Sequence, residues 1–355
     1  MALSNYIGNL CFAIDSIDSL QAVPSEKRLF GSRKNHRKFV KKLDIYGSQM
    51  LDHFVIKKDF HSDFLGEVLP GVEENFQKLN FDDETSSITT LDENSFYSIF
   101  LDFMRSLKLD YLFDEFIQNH KIYRTIREED DKLLGFTLNN PITHESDVFV
   151  GNFPYDIHTM STLAHEFGHV YDLSFTLGDV EEFNQYFYLS FFGEVIPRLF
   201  ERLFFQFMID KGILTDEIKD KVFEFEVINH DYLLGCYILS LINENSFLDN
   251  SYQSLSKDEL IQKVKNYFIS EDTIRDFVYN STGFDVLEDF RYAYGDIVSL
   301  FLKEAVEDCG LSNDFVEEFL KIRSGLFSED FLRKWGMGPE NYVQLHEKEL
   351  QMIKK

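Results

Sequence analysis

The sequence predicts a mainly α-helical fold with one small β hairpin, on three observations. Apolar residues recur at helical spacing along most of the 355-residue chain. Strand-like alternation is confined to residues 132–153. Soon after it stands His165-Glu166-Phe167-Gly168-His169, whose two histidines share one face of a helix, one turn apart.

Residues 1 to about 80 read as amphipathic helices. One of them carries a basic stripe, Arg33, Lys34, Arg37, Lys38, Lys41 and Lys42, repeating at i, i+4. A solvated face, or a complement to the acidic body, is its expected role. The polar run Asp82-Asp83-Glu84-Thr85-Ser86-Ser87 reads as a loop, dividing an N-terminal helical region, 1–90, from a second domain, 91–355. Helices resume from about Asn94 to His120. Leu133–Leu138 and Asp147–Phe153, joined by the turn Asn139-Asn140-Pro141, form the predicted hairpin. After the turn Pro154-Tyr155-Asp156 a helix runs to about Phe175. A long helix then spans about Val180 to Asp210, ended by Lys211-Gly212. Pro197 lacks the N–H that would reach the carbonyl of Gly193, so a kink is expected there. The capping box Ser256-Lys257-Asp258-Glu259 opens a later helix.

With 44% hydrophobic residues and 38 phenylalanines, the chain can bury a large core, which excludes a disordered class. A formal net charge of −27 argues against nucleic acid or an anionic membrane as partner. Cys11, Cys236 and Cys309 are too widely spaced for a disulfide framework or a metal cluster and suggest a reducing compartment. The first ten residues carry no Lys or Arg, and Asp15 and Asp18 interrupt the apolar run. A cytoplasmic protein without a membrane span is expected.

Two imidazoles four residues apart on a helix can meet a single tetrahedral Zn²⁺ ion. Glu166, beside the first of them, lies next to such an ion but is poorly placed to ligate it. That is the position of a general base acting on zinc-bound water. A third ligand is required. Glu194, 25 residues after His169, stands in the apolar run Phe187–Ile196, where an unpaired carboxylate would be costly. Gly193 before it would let another group approach closely. Glu201 follows by seven residues, on the same helical face, and is a candidate to orient a ligating imidazole. His158, seven residues before His165, and His230 are expected to be ordinary surface or core histidines.

Thr162-Leu163-Ala164-His165-Glu166-Phe167-Gly168-His169 resembles the signature of the zinc oligopeptidases typified by oligoendopeptidase F and thimet oligopeptidase. The spacing to Glu194 is similar to that family's. Gly193-Glu194-Val195 followed by Glu201 resembles its A-E-V/I-x-S-x-x-x-E segment, with Pro197 where Ser is usual. Phe319–Gly325 and Phe331–Gly336 resemble its closing FL-x-x-G…L-x-x-x-G pattern. The resemblance runs from about residue 120 to the end. It implies a helical, cleft-shaped metallopeptidase with one catalytic zinc that cleaves short peptides. It also implies a small sheet beside the zinc helix, whose edge strand binds an extended peptide. Members are longer upstream of the zinc motif, where a helical domain roofs the cleft, so a more open cleft is expected here.

The family also carries a His, a Tyr nine residues on and a second Tyr soon after, which hydrogen-bond the carbonyl oxygen as it gains charge. With Tyr294 on the second tyrosine, Ser281 takes the His position and Phe290 that of the first Tyr. No His occurs between His230 and His346, so the family histidine has no counterpart. The resemblance therefore leaves Tyr294, or else Tyr292, as the oxyanion donor, with aromatic core packing as the alternative.

The expected protein is a zinc-dependent oligopeptidase. His165, His169 and Glu194 hold one Zn²⁺ per chain, Glu166 takes the proton of the attacking water, and Tyr294 or Tyr292 steadies the oxyanion. Its expected partners are short peptides; the oligomeric state stays open. Two other readings also stay open. One is a zinc-peptidase homologue with weakened catalysis that binds peptides or regulates; the other is a peptidase dedicated to one protein partner.

Overall fold

The computed structural model describes residues 58–79, 87–119, 121–125, 135–140, 145–151, 154–174, 193–242, 283–309, 311 and 336–354. The basic stripe, residues 82–86, the capping box, Ser281 and the segment 319–335 lie outside these. Helices α1 (Lys58–Leu79), α2 (Glu93–Ser106) and α3 (Asp110–Gln118) precede strands β1 (Ile122–Thr125), β2 (Gly135–Asn140) and β3 (Glu145–Gly151). Helices α4 (Ile157–Ser174), α5 (Val195–Lys211), α6 (Thr215–Ile242), α7 (Gly283–Cys309) and α8 (Pro339–Lys354) follow. The fold is mainly helical, as the periodicity predicts.

The helices expected from about Asn94 to His120 form as α2 and α3, with a break between them. Leu107 ends α2 and Lys108 takes a left-handed φ of 61°. The break re-phases the apolar stripe. Phe96, Phe100 and Phe103 share one face of α2, but Phe113 and Phe116 would fall off that face in an unbroken helix. With the break, all five rings are buried in the same core.

Strands β2 and β3 pair antiparallel, as the expected hairpin requires. Asn139 pairs with Ser146 and Asn140 with Glu145, so the ladder runs through two residues expected in the turn. Pro141, which cannot donate to a ladder, follows the last pair. A third strand, β1, joins β3 in parallel with Ile122 opposite Val148, giving the order β1-β3-β2. At four residues it is too short to show a period-two signal.

The sheet packs against α4, and α4 lies across α5. Asp156 caps α4 by accepting the Thr159 N–H at 2.9 Å. The long helix expected from Val180 to Asp210 is not continuous. Gly193 and Glu194 form a turn, and α5 starts at Val195. Pro197 therefore sits in the first turn of a helix, where its missing N–H removes no helical bond, and no kink is needed. The other end is as predicted: Gly212, at φ 65°, caps α5 by donating its N–H to the carbonyls of Ile209 and Met208.

Helix α7 packs on α5 and α6, and α1 packs on α6 and α8. Between them lies a buried charged network. Arg202 binds Glu226 at 2.6 Å, Glu349 at 3.3 Å and Asp296, while Lys303 binds Glu349 and Tyr342 donates its hydroxyl to Asp296. Among the described residues, no helix is long and apolar enough to cross a membrane.

Candidate metal centre

Helix α4 carries His165, Glu166 and His169, with the two imidazole rings 5.0 Å apart and nearly perpendicular. Phe167, between them in sequence, projects into the core, its ring 5.5, 5.6 and 5.2 Å from those of Phe100, Phe113 and Phe116. That aromatic cluster fixes the rotation of α4, and with it the direction of the histidines. Gly168 fixes the distance to α5. A Cβ there would stand 2.5 Å from Cα and 2.9 Å from N of Pro197, so the helices touch backbone to backbone.

This close crossing delivers the two acidic groups of α5 and its preceding turn. One ligand atom each from His165, His169 and Glu194 lie within 4.8 Å of one another, a group that can hold a metal ion. Glu194 Oε2 stands 3.3 Å from Nε2 of His165 and 3.7 Å from Nε2 of His169. Glu194 is buried, and its Oε2 faces the two imidazoles.

Glu201 Oε2 lies 3.1 Å from His165 Nδ1. A carboxylate only accepts, so Nδ1 carries the proton and a neutral ring turns the Nε2 lone pair toward Glu194. Two electron-rich atoms then face each other, an arrangement that calls for a cation between them. A proton partly meets that need. Burial alone would depress His165, but Glu201 and Glu194 outweigh it and hold its pKa at about 10. His169 is depressed to about 3, by burial first. Burial would raise Glu194, yet His169 and Arg291 outweigh it and hold the carboxyl well below the usual carboxylate range. Two imidazoles and one ionised carboxylate converging on a buried point fit a divalent metal.

Glu166, nearly fully buried, stands beside this group and is held by the sheet. Thr137 on β2 can donate its hydroxyl to Glu166 Oε2 at 2.7 Å or to the Glu166 carbonyl at 3.0 Å. Burial pushes its carboxyl up to about 7, against the opposing effects of His165 and the Thr137 hydroxyl.

The remaining sequence candidates lie as follows. Tyr292 stacks on Tyr232 at 4.7 Å, with the Arg198 guanidinium 5.0 Å from its ring. Tyr294 is wholly buried, and its phenol is pushed well above its usual pKa by burial and by Cys236. The side chain of Phe290 lies outside the described residues. His158 is partly exposed, 3.7 Å from Glu224. His230 is buried, 3.0 Å from Glu73 and edge-on to Phe76. Three site neighbours escape sequence reading: Thr137, Arg198 and Arg291. Arg198 donates to Glu201 at 3.2 Å, and its place four residues after Glu194 and three before Glu201 was a readable signal. Thr137 and Arg291 reach the site from other elements and carry no local signal.

Fold and site together define a mainly helical protein with a candidate divalent-metal centre. Two solved structures share this fold. One is a protein assigned as an oligoendopeptidase F from Bacillus anthracis str. Ames, with TM-score 0.52, 13% identity, and 90% of this chain and 63% of that chain covered. The other is a protein assigned as a peptidase from Chlamydophila abortus, with TM-score 0.50, 14% identity, and 97% of this chain and 63% of that chain covered. This chain thus spans 63% of the length of each. At such identities the likeness shows the fold alone. No family model and no curated protein matches the sequence.

Proposed function

We propose that this chain is a zinc-dependent peptidase that hydrolyses short peptides. The placement of Glu166 supports this most directly: a buried carboxyl one residue from His165, hydrogen-bonded by Thr137. His165, His169 and Glu194 would hold the ion, a donor set that Zn²⁺ takes in catalytic sites while keeping a position open. When bound, zinc supplies Lewis acidity, polarising a peptide carbonyl and making water more acidic. Glu166 accepts a proton from the attacking water and passes it to the leaving amine, a role suited to a buried carboxyl beside the ligands. The Thr137 hydroxyl on Oε2 leaves Oε1 for the water. Tyr294 or Tyr292 would donate to the carbonyl oxygen as it gains charge. Among the described residues β2 is an edge of the sheet, and it packs on α4, so an extended peptide would pair along it. The net charge of −27 speaks against nucleic acid and anionic membranes as partners. A cytoplasmic location belongs to the same proposal.

The test is turnover of a mixed short-peptide library by zinc-loaded protein beside Glu166→Gln. The variant should keep zinc and lose about 10²–10⁴-fold in rate. Activity within about tenfold of wild type would move the base elsewhere. The complete burial of Tyr294 beside Cys236 favours a second reading, a zinc-containing peptide binder with weakened catalysis. In that case the wild-type protein binds peptides without cutting them. Cleavage of a folded protein with short peptides spared would point to a single dedicated partner.

A further inference from the structure

We propose that Arg291 is a positioning residue that makes Glu194 a one-oxygen metal ligand, so that α7 helps to set the metal affinity of a centre built on α4 and the turn before α5. The inference rests on the metal-centre reading above. Arg291 donates from Nη2 to Glu194 Oε1 at 2.8 Å. With Oε1 engaged, Oε2 is the oxygen turned toward His165 and His169. The guanidinium on Oε1 favours the orientation in which Oε2 alone faces the imidazoles, because turning both oxygens onto one ion would strain that bond.

Backbone packing fixes the same arrangement. Gly295 follows Arg291 by one helical turn and so shares its face of α7. A Cβ on Gly295 would stand 2.7 Å from Glu194 Cβ and 3.0 Å from the Glu194 carbonyl carbon. Helix α7 is thus seated directly on the Gly193–Glu194 turn. A Cβ on Gly193 would stand 2.8 Å from Arg291 Nη2, so that glycine makes room for the guanidinium. Two acidic residues of the centre are each held by an arginine: Glu201 by Arg198 and Glu194 by Arg291. The positive charge of Arg291 opposes a nearby cation, but its removal leaves a buried carboxylate free to turn or to take up a proton. Loss of orientation outweighs relief of repulsion, as it does for groups that fix metal ligands generally.

The test uses the full chain and reads metal, not turnover. Zinc affinity is measured by chelator competition for wild type, Arg291→Met, Arg291→Lys and Gly295→Ala, and visible spectra are recorded with Co²⁺ in place of zinc. Arg291→Met should bind zinc about 10–100-fold more weakly. Its Co²⁺ bands should also weaken, because a freed carboxylate adds its second oxygen and raises the coordination number. Arg291→Lys, which keeps the charge, should recover part of the affinity and carries the test if Arg291→Met does not fold. Gly295→Ala should weaken binding by displacing the turn. Wild-type affinity in both arginine variants would overturn the inference. So would lower affinity with an unchanged Co²⁺ spectrum, which would mean general loosening of the fold. A wild-type protein that takes up no zinc would overturn the metal reading itself, and this inference with it.

Discussion

Glu201 and His165, 36 residues apart in sequence, meet at 3.1 Å between a carboxylate oxygen and Nδ1 of the ring. The contact fixes which face of the imidazole looks at Glu194. Arg198 holds the same carboxylate oxygen at 3.2 Å and lies 4.7 Å from the Phe225 ring and 5.0 Å from that of Tyr292. The orientation of one histidine on α4 therefore depends on side chains from α5, α6 and α7.

The ligand set predicts the metal content directly. Wild-type protein should hold close to one zinc per chain, and His165→Ala or Glu194→Ala should lose it on dialysis. Glu201→Gln should keep zinc but bind it about 10–100-fold more weakly. Metal analysis after equilibrium dialysis checks all three. Full retention in Glu194→Ala would mean that the third ligand is another residue.

Gly168→Ala should disturb the centre without touching a polar group. The added methyl would meet Pro197 Cα at 2.5 Å and the Ile196 carbonyl oxygen at 3.0 Å, backbone atoms that cannot rotate aside. Overpacking of this kind costs about 1–3 kcal/mol, and here it pushes α5 and its turn away from α4. Denaturant unfolding should show the loss, and zinc titration should show weaker binding. Unchanged stability would mean that the helices can separate at little cost.

Thr137 should matter to rate and not to metal. Thr137→Val removes the donor to Glu166 at constant shape and should lower kcat about 10–100-fold, the worth of one hydrogen bond to a charged group. Thr137→Ser keeps the hydroxyl and should stay near wild type. Equal rates for valine and serine would remove Thr137 from the positioning of Glu166.

The two tyrosines separate the readings of the site. If Tyr294 donates to the oxyanion, Tyr294→Phe should lower kcat roughly 10²-fold with little change in KM, and Tyr292→Phe should matter less. Steady-state assays with zinc content checked in each variant decide it. Two fully active variants would assign neither phenol to the oxyanion.

Stability should fall as pH rises through neutrality, and Glu226 should be one cause. Its carboxyl is pushed from 4.5 up to about 7, by burial first and then by Asp296 and Glu349, with Arg202 opposing. The folded state therefore holds a proton that the unfolded chain releases across this window. The stability it contributes is complete below about pH 4.5 and is lost as pH rises through about 7. Glu226→Gln keeps the group neutral and should flatten the slope. Urea unfolding of metal-free protein at several pH values measures it, and parallel slopes for wild type and variant would assign the proton to another group.

Much of the candidate site was legible because its parts are local. Helical geometry alone puts His165 and His169 on one face with Glu166 beside them, and a carboxylate in an apolar run marks Glu194. The hairpin shows in its alternation, although β2 runs on to Asn140. The break at Lys108 shows only in the changed phase of the phenylalanines. The turn at Gly193–Glu194 was hidden, because an apolar run bounded by a glycine reads equally as one long helix.

The sequence by itself determined a mainly helical chain, the α4 motif and the acidic residues that accompany it, since periodicity and spacing depend on neighbours a few residues away. Tertiary structure alone decided that Thr137 holds Glu166, that Arg291 holds Glu194, and that Tyr294 is buried beside Cys236. Those contacts join different elements. They are set by how closely α4, α5 and α7 approach at Gly168 and Gly295, and by which side chains the aromatic core turns inward. A distance between helices is the outcome of packing, and no local pattern of residues encodes it.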